Sequence, residues 1–214
     1  MKKIVLITGL LLIFSCKNEN EKKPSVSSDS ISVSKTEAVQ VGKNLTSVEA
    51  IKEEFEFVNS LLLNKKLDSA NFKYQCEERS GNVVYYSDKG VLKAIKHFEA
   101  DSHFSAENNY FINEGKPYFI FTHESLWSFD GGTPEKPETK DDVTEKRFYI
   151  INEKAIQCLE KKYTLRSNSA DNLKSENVAN IEKQNCSIAD LQKTFSLLMK
   201  NRNRNRKDSD VKCL

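Results

Sequence analysis

The chain has 214 residues, with 33 Lys and Arg against 31 Asp and Glu, a formal net charge of +2 and only seven glycines. So close a charge balance excludes a global field that would draw it to nucleic acid. So few glycines argue against a phosphate-cradling loop. About 170 residues follow residue 44, which is enough for a single domain.

Lys2 and Lys3 open the chain, an apolar run from Ile4 to Phe14 follows, and Ser15-Cys16 closes it. The run is too short to cross a bilayer as a stable helix and matches the apolar region of a secretory signal. Ile13-Phe14-Ser15-Cys16 resembles the lipobox of bacterial lipoproteins. That resemblance implies removal of residues 1–15, a diacylglyceryl thioether on Cys16 and acylation of the new amine. Each buried methylene adds about 0.8 kcal/mol, so several acyl chains fix a protein to a membrane. The rival is an ordinary cleaved signal that leaves a free Cys16 thiol. Lys17 after the cysteine resembles outer-membrane sorting, and Glu19 and Glu21 are similar to the surface-export signal of Bacteroidetes lipoproteins. The implied location is the cell envelope, lipid-anchored in the outer membrane and either periplasmic or surface-exposed. Without Lys2 and Lys3 the mature chain has 31 basic and 31 acidic side chains.

Residues 16–45 hold no aromatic residue and are rich in Ser, Lys, Glu and Asn. Such composition predicts a disordered tether, with an r.m.s. reach of about 30 Å. A domain is expected over 46–200. Thr46-Ser47-Val48-Glu49 reads as a capping box, and Val48, Ile51, Phe55, Val58 and Leu62 mark one apolar helical face.

Strands follow at Asn71 to Glu78, Val83 to Tyr86, Val91 to Phe98, Asn109 to Asn113, Tyr118 to His123, Lys146 to Ile151 and Lys154 to Tyr163. Tyr85-Tyr86-Ser87-Asp88-Lys89-Gly90 and Tyr110-Phe111-Ile112-Asn113-Glu114-Gly115 repeat one phrase, an aromatic run leading into a Gly-terminated turn. Asp or Asn, one residue, then Gly supplies the positive φ of a tight hairpin. Pro117 lacks a ladder donor, so its strand begins at a bulge or lies at an edge. Asp130 to Thr144 reads as a polar insertion, and 167–186 as a polar mobile segment. Ser187, with Asp190 at the capping-box position, starts a second helix whose stripe is Ile188, Leu191, Phe195 and Leu198. A basic tail, 201–214, ends the chain. The fold class is α+β: an antiparallel meander of about seven strands flanked by an N-terminal and a C-terminal helix.

The cysteines beyond Cys16 are Cys76, Cys158, Cys186 and Cys213, an even number that allows three pairings. Cys76 with Cys158 is the favoured bond, since both lie in predicted strands; buried free thiols are the alternative. C-x-x-C, H-E-x-x-H and G-x-S-x-G are all missing, and no cofactor motif is found. His97, His103 and His123 fall in the sheet region and would need to converge, with Asp101 or Glu124, to hold a metal. Scattered strand histidines are more often half-exposed polar partners.

Adjacent aromatics in a strand point to opposite faces, so one of each pair is expected in the core and its neighbour outside. Trp127 and Phe129, bordering the insertion, lead the partner-binding candidates, with Tyr86 and Tyr110 beside them. The doubled phrase resembles the hairpin unit of MORN-type repeats, and Tyr74-Gln75-Cys76 is similar to a segment of membrane-bound lysozyme inhibitors; neither family implies catalysis. The expectation is a membrane-anchored, non-enzymatic module binding a protein, glycan or lipid partner. An enzyme using the sheet histidines and a lipid or lipoprotein carrier are the alternatives.

Overall fold

The computed structural model describes residues 42–202. Cys16, the leader, nearly all of the tether and residues 203–214 of the basic tail lie outside them. Helix α1, Val48–Leu63, is followed by strands β1 (Asp68–Cys76), β2 (Arg79–Asp88), β3 (Val91–Ala100), β4 (Phe104–Asn113), β5 (Lys116–Thr133), β6 (Lys136–Ile151), β7 (Lys154–Arg166) and β8 (Ile181–Glu182), then helix α2, Ala189–Asn201. The eight strands form one antiparallel sheet in sequence order. The α+β meander is therefore as expected, with one strand more; β8 is a two-residue edge inside the polar segment. Among the described residues no helix is long and apolar enough to cross a membrane.

The tight turns follow from backbone chemistry. Lys89 and Gly90, then Glu114 and Gly115, both take positive φ, as a two-residue hairpin matching the strand twist demands. Asn152 and Glu153 make the same turn at φ 50° and 63° without a glycine. Pro117 pairs with Ile112 beside a register shift, where its missing N–H does least harm.

Helix caps differ from the sequence expectation. Ser47, not Thr46, caps α1: its backbone is extended and its hydroxyl accepts from the Ala50 N–H at 3.2 Å. Ile188 occupies the α2 cap without a side-chain bond, while Ser187 Oγ accepts from the Ala189 N–H at 3.3 Å.

The helices cover opposite faces, which corrects the expected split of each aromatic pair. Tyr85, Ile95, Tyr110, Ile120, Phe148 and Cys158 form one registered row across six strands. They share a core with Phe195 and Leu198 of α2. Ala94, Phe111, Phe119 and Tyr149 form the neighbouring row. They pack with Ile51 and Val58 of α1. The pairs Tyr85–Tyr86, Tyr110–Phe111 and Phe148–Tyr149 thus each feed two cores, because a helix removes water from both sides of the sheet.

The favoured cysteine pair is corrected too: Cys158 is bonded to Cys186, with their Cα atoms 6.2 Å apart. Cys76 and Cys158 sit on β1 and β7, six strand spacings or roughly 29 Å apart, so the meander itself forbids their bond. The disulfide ties the start of α2 to the sheet edge. On the α1 face the polar segment is pinned by Ser175, whose hydroxyl donates to Glu145 at 2.6 Å and whose carbonyl accepts from Lys161 at 2.6 Å. At the front of the domain, Gly42 N–H donates to Glu114 at 3.0 Å, Asn113 donates to the Lys43 carbonyl at 2.7 Å, and Lys43 pairs with Glu54 at 3.2 Å.

Candidate functional site

The polar insertion expected between strands is a continuation of two of them. β5 has 18 residues and β6 has 16, and their register runs unbroken through Trp127 opposite Asp141 to a bulge after Phe129, closing at Thr133 opposite Lys136. β4 stops pairing at Phe104 opposite Leu126. Beyond that point β5 has lost one neighbour, and the hairpin projects as an arm.

Trp127 stands where the arm leaves the sheet. Asp101 builds its support: the Asp101 carboxylate accepts from the Phe104 N–H at 3.2 Å, and the Asp101 N–H donates to the Phe104 carbonyl at 2.9 Å. That tight turn, of the kind Asp favours, presents two carbonyls to the tryptophan. Its indole N–H donates to the Ser102 carbonyl and its backbone N–H to that of His103, each at 2.9 Å. The His103 imidazole stacks on the indole with centroids 4.4 Å apart and planes 25° apart. Phe129, two residues on and so on the same face, meets Trp127 edge-on at 5.6 Å and 83°. Phe129 remains 67% exposed. Charged groups rim the arm, including an Arg166 to Asp130 pair at 2.8 Å.

This arrangement fixes one tryptophan on both its hydrogen-bonding and stacking sides, leaving a phenyl ring as the accessible apolar group. A rigid aromatic set in a polar rim is the usual anatomy of a binding hot spot.

The other candidates fall elsewhere. Tyr110 is fully buried, and its hydroxyl donates to the Leu191 carbonyl at 3.3 Å, so it is a core residue and not a contact surface. Tyr86 is half-buried against the α1 core. The three histidines are not brought together. His97 is 1% exposed and bonds through Nε2 to the Tyr74 hydroxyl at 2.7 Å. Burial lowers its pKa to about 4. The Tyr74 hydroxyl is pushed up to about 12, by burial first and by the Glu99 charge second, against the pull of Arg79. His103 serves Trp127, and His123 lies opposite Glu107 and Glu145 in the strand register. No group of three or more His, Cys, Asp or Glu among the described residues is placed to hold a metal.

Glu145 is 4% exposed and carries the densest polar network among the described residues. It accepts from Tyr163 at 2.9 Å and Ser175, and pairs with Arg147 at 3.2 Å and Lys161 at 3.3 Å. Burial raises its pKa, but the bonds from Ser175 and Tyr163 and the Lys161 charge outweigh it, and the net effect is a lowered value. No protein family matches the chain, and neither the curated proteins nor the solved structures contain a match to it.

Proposed function

We propose that this chain is a membrane-anchored envelope lipoprotein whose domain is a non-enzymatic binding module, with the hairpin arm as its contact surface and a protein as its partner. The supporting observation is the Trp127–Phe129 pair on the arm, locked from behind by Ser102 and His103 and open at Phe129. A protein fits better than a glycan because the exposed ring is an isolated edge-set phenyl, suited to insertion into a pocket. The anchor rests on the lipobox-like ending at Cys16.

Two measurements test the reading. A photo-crosslinking side chain substituted at Phe129 in the full chain, expressed in a bacterial envelope, should trap discrete protein species that Trp127→Ala abolishes. Crosslinks to glycan or lipid alone, or none, refute the protein partner. Labelled palmitate should enter the wild-type chain and not Cys16→Ala; an unlabelled wild-type chain refutes the anchor.

A further inference from the structure

The α1 face carries a second aromatic feature, separate from the arm. Between α1 and strands β5 and β6 lies an open groove of about 320 Å³, near the lower end of the roughly 300–1,000 Å³ typical of small-molecule sites. Its floor is a two-by-two block of registered residues, Phe119 opposite Tyr149 and Phe121 opposite Arg147. Strand alternation turns all four towards the same helix. The helix contributes Lys52, Phe55 and Glu56, spaced to share one side.

The rings do not stack flat on one another. Phe55 lies 4.9 Å from Phe119 at 58°, and Phe119 lies 5.1 Å from Tyr149 at 51°. Phe55 and Phe121 stay half-exposed. Two cations border these ring faces: the Lys52 ammonium 5.7 Å from the Tyr149 centroid and the Arg147 guanidinium 4.9 Å from that of Phe121. Arg147 is held in place by Glu145 at 3.2 Å and by Asn180 at 3.0 Å. The Glu145 carboxylate is shared with buried Lys161. Lys52, Arg147 and Lys161 together outnumber Glu56 and Glu145 by one positive charge. An apolar slot walled by rings, with surplus positive charge at its margin, complements a flat ring bearing an anion.

We propose that this groove binds a small flat aromatic acid, its ring among Phe55, Phe121 and Tyr149 and its carboxylate towards Lys52 and Arg147. Titration of the full chain with 2-naphthoate, followed by NMR, should give saturable shifts confined to the signals of Phe55, Phe119, Phe121 and Tyr149. The uncharged isostere 2-naphthamide should bind about two- to fivefold more weakly, the effect of a partly exposed charge pair. Lys52 and Glu56 are both exposed on α1, so substituting them leaves the packing intact. Lys52→Gln should narrow the difference between the two ligands and Glu56→Gln should widen it. Equal binding of acid and amide, shifts at Trp127 and Phe129 in place of the groove, or no saturation would each overturn the proposal.

Discussion

His97→Gln offers a direct test of how burial governs this sheet. The imidazole is 1% exposed, its Nε2 meets the Tyr74 hydroxyl at 2.7 Å, and its Nδ1 has no partner. Protonation would bury a charge, which is why the folded-state value falls from 6.5 to about 4. In the unfolded chain the ring takes its proton near pH 6.5. Stability from neutral His97 is therefore fully present above pH 6.5, declines as pH falls through the window, and is gone below about pH 4. The gap corresponds to about 3 kcal/mol, with a slope of at most about 1.4 kcal/mol per pH unit. Glutamine keeps a polar partner for Tyr74 but cannot titrate. Urea unfolding, followed by the fluorescence of Trp127, the one tryptophan in the sequence, gives the stability of both proteins from pH 7 to 4. The wild type should lose about 3 kcal/mol more than His97→Gln over that range. Parallel curves, or an NMR titration of His97 centred near pH 6.5, would refute the reasoning.

Other substitutions probe the remaining contacts. Gly81 pairs with Tyr74, whose ring lies over it where a Cβ would go; Gly81→Ala should cost about 1–3 kcal/mol by displacing that ring, and should raise the NMR-measured pKa of His97. Glu153 sits at φ 63° with an exposed side chain, so Glu153→Gly should stabilise the domain by about 0.5–1 kcal/mol in denaturant melts, strain relief exceeding the added chain entropy. Cys186→Ser opens the loop closed by the Cys158 bond and should lower stability by roughly 3–4 kcal/mol, with hydrogen exchange accelerating first in α2. The Glu145 carboxylate has a lowered pKa, so its contribution is present above the ordinary carboxylate range and is lost as pH falls through the folded value; Ser175→Ala should move that loss to higher pH in acid-unfolding curves.

Local chemistry was readable from the residues, and the global arrangement was not. The Lys89-Gly90 and Glu114-Gly115 turns were legible because positive φ leaves a compositional mark; the Asn152-Glu153 turn gives the same geometry without it. Helical spacing located α1 and α2, yet nothing in a stripe says which face of a sheet it will cover. The doubled aromatics of β2 and β4 record burial on both faces, as a near-continuous apolar run does, and that reading requires knowing there are two helices on opposite sides. The arm escaped notice because residues 130–142 carry no apolar alternation: both of its faces meet water, and its pairing is backbone-driven. The cysteine pairing depends on strand order, since only the finished meander shows that β1 and β7 lie far apart while Cys186 returns to β7. Trp127 and Phe129 were found from their position beside the insertion, whereas the role of His103 behind them emerges only from the Asp101–Phe104 turn.

The clasp of Gly42 and Lys43 on the tip between β4 and β5 gives the domain a polarity. β5 starts at that clasp and ends at Thr133, a path of about 60 Å at strand rise. Past Leu126 that strand is held by β6 alone, so the clasp and the exposed phenyl ring lie towards opposite ends of one 18-residue strand.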